Sequence, residues 1–469
     1  MHDYDLIVIG SGPGGYVAAI RGAQAGLSVA LVERAELGGI CLNWGCIPTK
    51  ALLRSAEVFL EVKNAAGYGI LTTAPLVDFL AIVSRSREVA KTNSAGVAFL
   101  LKKNKVSVLV GEAKLLAHDT QQNPCVEFIN TAKECKVLCA RSVILATGAS
   151  PRYLPQYPIN GLHFLNYRQA MALDHQPKRM LVIGSGAIGL EFSWFFNALG
   201  TQVTLLESQA QILPSEDAEV SRFLSLSLTK QGIRCLANSS LHSLQVIANE
   251  VHALVKDAKG QELEICVDQV LFAVGMTANT VNIGLENANV ALDVQGFIVT
   301  DASMKTSAPN IYAIGDCTGH QMLAHKASAE AEVAIDVILG QSAAMEYTQI
   351  PACLYCHPQV ASIGLCETQA KAQNIAFQVG RFPFQASGKA RASGHTEGFV
   401  KLIFSPDSGI ILGAQILGGD ACELIATLGV ALRQKLTWKD LGTMLFAHPT
   451  LSEAIAEAAL ASHKKAVHL

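Results

Sequence analysis

Apolar residues run unbroken through Tyr4–Ile9, the pattern of a strand buried on both faces. Gly10-Ser11-Gly12-Pro13-Gly14-Gly15 follows. An alanine-rich stretch with helical spacing runs from Tyr16 to about Ala25, and a second apolar strand over Ser28–Val32 ends at Glu33. The same order recurs downstream: strand Met180–Ile183, turn Gly184-Ser185-Gly186-Ala187-Ile188-Gly189, helix through Phe192–Leu199, strand Gln202–Leu206, then Glu207. Strand, glycine turn, helix, strand and acid make the βαβ unit that holds a dinucleotide. The glycines let backbone N–H groups close on a pyrophosphate at the helix N-terminus, and the acid accepts the ribose hydroxyls. A glycine turn alone could be purely structural; strand, helix and acid in register favour a nucleotide. Two such units predict two nucleotides. Ser208-Gln209-Ala210-Gln211 contains no arginine, so Glu207 favours the unphosphorylated ribose of NAD.

Between and after these units the pattern is mixed. Phe79–Lys103 reads as helix and Val106–Ala113 as extended chain. Ser142–Leu145 is a short strand ending in Ala146-Thr147-Gly148, a close backbone passage. Pro151, Pro155 and Pro158 punctuate a linker. Gln269–Val274 and Asn310–Ile314 read as strands returning to the first domain, the latter opening onto Gly315-Asp316. An acid at the carboxyl edge of a sheet can bind a cofactor hydroxyl, although an ordinary turn aspartate fits Asp316 equally well. From about Tyr347 the texture becomes α+β. Strands are expected at Val360–Leu365, Gln378–Pro383, Phe399–Phe404 and Ile410–Leu417, with helices at Ala421–Gln434 and Thr450–Ala461.

Composition narrows the classes. The 469 residues are enough for roughly three domains. Half are hydrophobic and only 16% are charged, so a large interior is available. A net charge of −3 and a pI near 6.5 carry no basic excess for nucleic acid or an anionic membrane. No apolar run reaches the roughly 18 residues of a membrane span. Asp3-Tyr4-Asp5 leads straight into a strand rather than a signal peptide, so the expectation is a cytoplasmic protein. In that compartment most of the 12 cysteines would be free thiols. Cys353-Leu354-Tyr355-Cys356-His357 has the form of a c-type haem attachment, but that chemistry belongs to a translocated chain.

Chemistry concentrates in Gly38-Gly39-Ile40-Cys41-Leu42-Asn43-Trp44-Gly45-Cys46-Ile47-Pro48-Thr49-Lys50. Cysteines five apart on a regular helix point about 140° away from each other, so a bridge would need a looped or distorted segment. Gly38, Gly39 and Gly45 supply the freedom, and Pro48 fits only near a helix start. A thiol near a helix N-terminus has a stabilised thiolate. Two buried cysteines in a glycine turn remain the plain alternative. Near the other end, His448 precedes Pro449 and lies close to Glu453, which could accept from one imidazole nitrogen and raise the basicity of the other. A solvated helix start would look the same.

Together these motifs resemble the flavin-dependent pyridine nucleotide-disulfide oxidoreductases, nearly end to end. Gly38–Lys50 is similar to that family's redox-active disulfide stretch, and the two glycine turns are similar to its FAD and NAD sites. Met322-Leu323-Ala324-His325-Lys326-Ala327 looks like the dihydrolipoamide-oxidising members rather than the glutathione-reducing ones. Phe382-Pro383-Phe384, Gly398-Phe399-Val400-Lys401 and His448-Pro449-Thr450 with Glu453 complete the match.

The resemblance implies an α/β fold: two Rossmann-like dinucleotide-binding domains plus a C-terminal α+β dimerisation domain. Its segments would be residues 1–150 (FAD), 151–270 (NAD), 271–346 (returning to the FAD domain) and 347–469 (interface). It implies FAD held by Gly10, Gly12, Gly14, Gly15, Glu33, Lys50, Thr147, Gly148, Gly315, Asp316 and Ala324. It also implies NAD held by Gly184, Gly186, Gly189, Glu207 and Gly275. Cys41 would exchange with lipoyl sulfur and Cys46 would lie against the flavin. His448, oriented by Glu453, would be the base for the disulfide of the other subunit, and Lys50 would pair with Glu191 beside the flavin edge. The implied reaction is oxidation of protein-bound dihydrolipoamide by NAD⁺ in a homodimer, with no structural metal. Its partner would be the lipoyl-bearing acyltransferase of a 2-oxo acid dehydrogenase complex or the lipoyl carrier of glycine cleavage.

Several positions depart from the family pattern. Thr49 and Ile40 stand where serine and threonine are commoner. Gly275-Met276-Thr277-Ala278-Asn279 lacks the usual arginine and proline. Cys356-His357-Pro358-Gln359 replaces a more usual Thr-x-Pro-Glu and places two metal-binding side chains there. Two other readings compete. A relative acting on glutathione is disfavoured by Glu207, and a mercuric type by the lack of a cysteine pair in Ala454–Leu469. A non-catalytic flavoprotein would have no need of Cys41, Cys46, His448 and Glu453.

Overall fold

The computed structural model describes residues 2–469. The chain forms two compact units, each from three segments. The first comprises Met1–Leu52, Leu80–Tyr153 and Gly275–Glu346, the second Leu53–Phe79, Leu154–Val274 and Tyr347–Leu469.

In the first unit the apolar run becomes β1 (Tyr4–Ile9), hydrogen-bonded in parallel to β2 (Val29–Glu33) and, on its other edge, to strand Cys135–Leu145. Ser107–Leu115 extends the sheet beyond β2, and Ile311–Ala313 extends it beyond Cys135–Leu145, both in parallel. Leu6, Ile7 and Val8 are fully buried, as an unbroken apolar strand between covered faces must be. Helix α1 spans Pro13–Gln24 and starts three residues before the expected Tyr16. Proline lacks the N–H that a first helical turn leaves unused, and its φ is already helical. Strand Cys135–Leu145 is far longer than the expected Ser142–Leu145. Its outer half pairs antiparallel with Cys125–Asn130, a partly buried strand that sends Val126 and Leu138 into the core and has no long apolar run to betray it. There Cys125 and Cys139 stand directly opposite each other and are bonded, with Cα atoms 4.1 Å apart. Eight further cysteines among the described residues belong neither to this bridge nor to the Cys41–Cys46 bridge.

In the second unit Arg179–Ile183 lies between parallel strands Gln202–Leu206 and Gln269–Phe272. A three-stranded antiparallel sheet, Ser240–Ile247, Glu250–Lys256 and Glu262–Val267, adds a face that the hydrophobic pattern does not announce. The C-terminal sheet runs in the order Ala352–Leu354, Gln359–Gly364, Ile411–Gly418, Phe399–Phe404, Gln378–Pro383. Helices Ala421–Arg433 and Glu453–Ala461 share a core with it through Leu428 and Ile455 packed with Val400, Phe404 and Ile416. The last helix begins at Glu453 rather than Thr450. The Glu453 carboxylate accepts from the Thr450 N–H at 2.8 Å and closes a turn before the first helical residue. Lys401 is buried within the sheet, and its Nζ lies 3.0 Å from Asp217, 3.2 Å from Glu219 and 2.5 Å from Glu367. Among the described residues no helix is long and apolar enough to cross a membrane.

Candidate functional site

Gly10 and Gly184 share a φ of +99°, in the left-handed region. A side chain at either would strike the carbonyl of Ala146 or Ala273. At Gly15 and Gly189 it would strike the carbonyl of Gly10 or Gly184, so strand, turn and helix pass at a distance only glycine permits. Gly14 is close to the Ala327 carbonyl, where a Cβ would sit 3.0 Å away. Gly12 and Gly186, the N-caps of the two helices, are different: no protein atom lies within 4 Å of the place a side chain would take. Open space in front of unpaired N–H groups is a cradle for a pyrophosphate, so both turns fit a dinucleotide.

The acids are held in the same way in both units. Glu33 Oε2 accepts from the Ser11 N–H at 2.8 Å and from Ser11 Oγ at 2.6 Å, and Oε1 accepts from the Ala35 N–H at 2.8 Å. Glu207 Oε2 accepts from the Ser185 N–H at 2.9 Å and Ser185 Oγ at 2.7 Å, and Oε1 accepts from the Gln209 N–H at 2.8 Å. Burial pushes the Glu207 carboxyl up, but the hydrogen bonds from Gln209 and Ser185 outweigh it and hold the group below its usual range. Each carboxylate keeps lone pairs for ribose hydroxyls. Ser11 and Ser185 escaped the sequence reading; their signal is the repeated Gly-Ser-Gly, and the partner acid lies 22 residues away in both units.

The Gly38–Lys50 stretch grows directly out of the first turn. The Gly38 N–H donates to the Ser11 carbonyl at 3.0 Å and to Ser11 Oγ at 3.3 Å. Gly38, with φ +94°, caps α2 (Gly39–Trp44), and a side chain on Gly39 would come within 2.7 Å of Gly12 Cα. The chain then breaks at Gly45 (φ −137°, ψ −114°), where a Cβ would lie 3.1 Å from the Ile40 carbonyl, and α3 runs from Cys46 to Lys63. The distortion that five-residue spacing demands is this break. It brings the Cα atoms of Cys41 and Cys46 to 4.7 Å, and the two cysteines are bonded. Cys46 opens α3, where the helix dipole favours a thiolate once the bond is reduced. Lys50 follows it by one turn, on the same face. Buried Asn43 ties the entry of α2 by donating to the carbonyls of Leu37 (2.9 Å) and Gly39 (3.0 Å). Helix α4 (Phe79–Lys103) clasps the break: Arg87 donates to the Asn43 carbonyl at 2.5 Å and lies 4.1 Å over the Trp44 ring, and Arg85 donates to the Ala51 carbonyl at 2.8 Å.

Other predicted flavin residues lie in the same unit. Thr147 Oγ1 is buried without a hydrogen-bond partner of ordinary geometry, with the Cys317 thiol beside it. An orphan hydroxyl at the carboxyl end of a sheet strand fits a hydrogen bond to a nucleotide. Asn279 accompanies Thr147-Gly148, its amide donating to the Thr147 carbonyl at 2.9 Å and its N–H to the Gly148 carbonyl at 3.0 Å. Gly315 takes φ +78°, and its N–H donates to Glu330 at 2.7 Å. Beneath it Lys326 and Glu330 are fully buried and paired at 3.2 Å, with Lys326 also donating to the Gly315 carbonyl at 3.0 Å. This pair has no sequence signature beyond its i, i+4 spacing. Burial pushes the partly buried Asp316 carboxyl up against the opposing pull of Lys326. Ala324 opens helix Ala324–Ile338. Gly275, predicted for the NAD site, belongs to this unit. It takes φ +102°, its carbonyl accepts from the Arg152 N–H at 3.0 Å, and Met276 pairs with Pro151.

The second unit holds the remaining candidates. His448 Nδ1 lies 2.8 Å from Glu453 Oε1, with the His448 side chain 81% exposed and its other nitrogen open. The Thr450 N–H and then His448 hold the Glu453 carboxyl below its usual range. Glu191 is buried on helix Ala187–Ala198 and accepts from the Tyr355 N–H at 3.1 Å. Cys356 is buried with its thiol 3.5 Å from the Pro358 carbonyl, and burial, aided by His395, pushes the His357 imidazole below its usual range. Among the described residues, neither Cys356 nor His357 joins a group of three convergent metal ligands.

Comparison with known proteins places this geometry. The family model for pyridine nucleotide-disulphide oxidoreductases matches residues 4–331, and the model for that family's dimerisation domain matches residues 350–459. A dihydrolipoyl dehydrogenase of Zymomonas mobilis is 46% identical over 99% of both chains. One from Chlorobaculum tepidum is 45% identical over 97% of this chain and 96% of its own. Among solved structures, LpdA from Mycobacterium tuberculosis superposes with a TM-score of 0.90 at 29% identity, covering 97% of this chain and 98% of that one. The Cu(II) complex of the HOCl-induced flavoprotein disulfide reductase RclA from Escherichia coli has a TM-score of 0.86 at 26% identity, covering 98% and 99%. The chain is a member of the pyridine nucleotide-disulphide oxidoreductase family.

Proposed function

We propose that the protein oxidises a protein-bound dihydrolipoyl group to its disulfide, reducing NAD⁺, with FAD in the first glycine turn and NAD in the second. The observation that carries this is the bonded Cys41–Cys46 pair, held against the Gly12 turn through Ser11. Bound there, FAD supplies a two-electron path between the cysteine pair and NAD⁺.

His448, with Glu453 fixing its Nδ1, takes the proton of a dihydrolipoyl thiol. The thiolate attacks the Cys41 sulfur and displaces Cys46 as a thiolate, which the α3 N-terminus stabilises. The second dihydrolipoyl thiol then attacks the lipoyl sulfur bonded to Cys41, and its proton passes to Cys41 as that sulfur departs. Lipoyl is thereby oxidised and the cysteine pair reduced, each by two electrons. Reoxidation of the pair delivers those electrons to NAD⁺, and Cys41–Cys46 closes again. Lys50, carried on α3, would serve the flavin site with its charge. The exposure of His448 supports a base that acts on the disulfide of a second copy, which the matched dimerisation domain supports. Residues 1–150 would then act as the FAD domain, 151–270 as the NAD domain, 271–346 as its return to the first, and 347–469 as the interface. The lipoyl group would arrive on an acyltransferase component of a 2-oxo acid dehydrogenase complex or on a glycine-cleavage carrier.

The test is an anaerobic titration of the yellow holoprotein with dihydrolipoamide, then with NAD⁺, watched by visible absorbance. A long-wavelength band that rises and then bleaches as NADH forms supports the reading. If dihydrolipoamide leaves the spectrum unchanged while NADH produces the same band, the dihydrolipoyl substrate is wrong.

A further inference from the structure

The solvent face of the three-stranded sheet carries a cluster that the redox chemistry does not use. His252 stands opposite Cys266 in register, and Glu264 is two residues before Cys266 on the same strand, so all three project from one face. The other face, through Val251, Ala253, Val255, Ile265 and Val267, is buried in a hydrophobic core, which gives the trio a fixed platform. Glu264 Oε1 lies 2.8 Å from His252 Nδ1, and Cys266 Sγ lies 3.5 Å from the same nitrogen. The three ligand atoms all fall within 4.8 Å of one another.

A carboxylate and a sulfur thus converge on one ring nitrogen, which shares a proton with only one of them at a time. A divalent cation replacing the Nδ1 and thiol protons meets all three donors at once. Ordinary Zn–S, Zn–N and Zn–O lengths in a tetrahedron put nitrogen about 3.6 Å from sulfur and about 3.4 Å from oxygen. The nitrogen–sulfur distance of 3.5 Å is already there. The nitrogen–oxygen distance needs only an outward swing of the Glu264 side chain, which is 65% exposed. Gln245, opposite His252 on the neighbouring strand, offers an amide oxygen as fourth ligand, and water is the alternative. We propose that His252, Glu264 and Cys266 form a binding site for a thiophilic divalent metal ion of the Zn(II) class. Binding releases the Cys266 thiol proton, and the neutral imidazole keeps its single N–H on Nε2. The ligands lie 12 to 14 residues apart on two strands, so no short motif announces them.

The experiment uses the holoprotein with Cys41–Cys46 oxidised, so that those sulfurs cannot bind. Zn(II) is measured by equilibrium dialysis with metal analysis, and alkylation of Cys266 is followed by mass spectrometry. One tightly held equivalent per chain is expected, with Cys266 shielded from alkylation by Zn(II). Cys266→Ser and His252→Gln should each weaken that equivalent at least about tenfold, and Glu264→Gln less. His252→Gln keeps the test decisive if Cys266→Ser folds poorly. Wild-type binding in both variants, or Cys266 alkylation indifferent to Zn(II), overturns the assignment.

Discussion

The two glycine turns share the same serine-to-acid hydrogen bonds, and they differ most where the chain leaves each turn. In each, a serine joins the turn to its acid and then receives an incoming loop. Gly38 donates its N–H to the carbonyl and Oγ of Ser11, at 3.0 and 3.3 Å. Leu213 donates to the carbonyl and Oγ of Ser185, at 3.2 and 3.1 Å. Both incoming residues have positive φ, +94° and +48°. Beyond them the copies part. Gly38 opens the helix that carries Cys41, whereas Leu213 leads to Asp217, the N-cap of helix Ala218–Lys230. The shared device fits a nucleotide; the chemistry would be whatever the incoming loop delivers.

That division is broken most severely at the disulfide. Cys41→Ser should lower dihydrolipoamide oxidation by at least about a thousandfold, because a serine cannot form or break the mixed disulfide. NADH-dependent reduction of an artificial one-electron acceptor should persist, since it needs only the two turns. If both activities fall together, the turns are not independent of the incoming loop.

The buried cations sharpen the contrast. Lys326 in the first unit meets one carboxylate, Glu330, and otherwise neutral oxygens. Lys401 in the second meets three carboxylates. Lys401→Met should therefore cost about 3–5 kcal/mol, the penalty for stranding buried charge. Burial works against the Lys401 charge, but Glu367 and Asp217 overcome it and raise its pKa above the usual 10.5. Burial likewise opposes the Glu367 charge, and Lys401 overcomes it and lowers that pKa below the usual 4.5. A depressed acid adds stability above its unfolded pKa that is lost as pH falls through the folded value. A raised lysine adds stability below its unfolded pKa that is lost as pH rises through the folded value. The cluster is thus at full strength between roughly pH 5 and 10. On acidification below about pH 4.5, hydrogen exchange in Phe399–Phe404 should accelerate before exchange in Tyr4–Ile9. The reverse order would show that acid lability does not reside in the Lys401 cluster.

How much of this can be read from the chain depends on how local each cause is. Tyr4–Ile9 is legible to the residue because a strand buried on both faces writes itself as one apolar run. The Cys41–Cys46 segment is legible as a necessary distortion, since helix geometry forbids the bridge otherwise, and Gly45 supplies the break. Cys125–Cys139 is not, because its two halves lie on separate strands whose pairing only the fold creates. The three-stranded sheet holding His252 and Cys266 is hidden for the same reason. Lys326 and Lys401 stand out only as motif letters, because their burial depends on carboxylates that only the fold or a helical turn brings to them. The Ser11 and Ser185 links are printed twice as Gly-Ser-Gly, yet an acid 22 residues away gives a serine no local mark.

The open glycines separate ligand from fold. Gly12 and Gly186 have φ of −60° and −72°, which alanine adopts freely, and a Cβ there meets no protein atom. Gly12→Ala should leave the apoprotein's Tm unchanged while flavin content falls. Gly186→Ala should keep its flavin and raise the KM for NADH at least about tenfold, a loss of about 1.4 kcal/mol. A loss of flavin from Gly186→Ala would reverse the assignment of the two turns.

The smallest effects test the copied serines themselves. Ser11→Ala and Ser185→Ala each remove one hydroxyl that donates to a carboxylate and accepts from an incoming N–H, worth about 1 kcal/mol in either unit. The two losses should have different consequences. In Ser185→Ala the loosened residues are 207–214, and the outcome is weaker NADH binding with the disulfide chemistry untouched. In Ser11→Ala the loosened residues are 36–46, because Gly38 loses one of its two acceptors on the turn while keeping the backbone carbonyl. Native-state hydrogen exchange should therefore accelerate about fivefold across 36–46, the population change that 1 kcal/mol gives, and dihydrolipoamide turnover should fall with it. Protection at 36–46 equal to wild type would mean that the backbone bond alone holds the disulfide helix to the turn. The Ser11 hydroxyl would then serve its acid and leave the disulfide chemistry alone, as expected of the Ser185 hydroxyl.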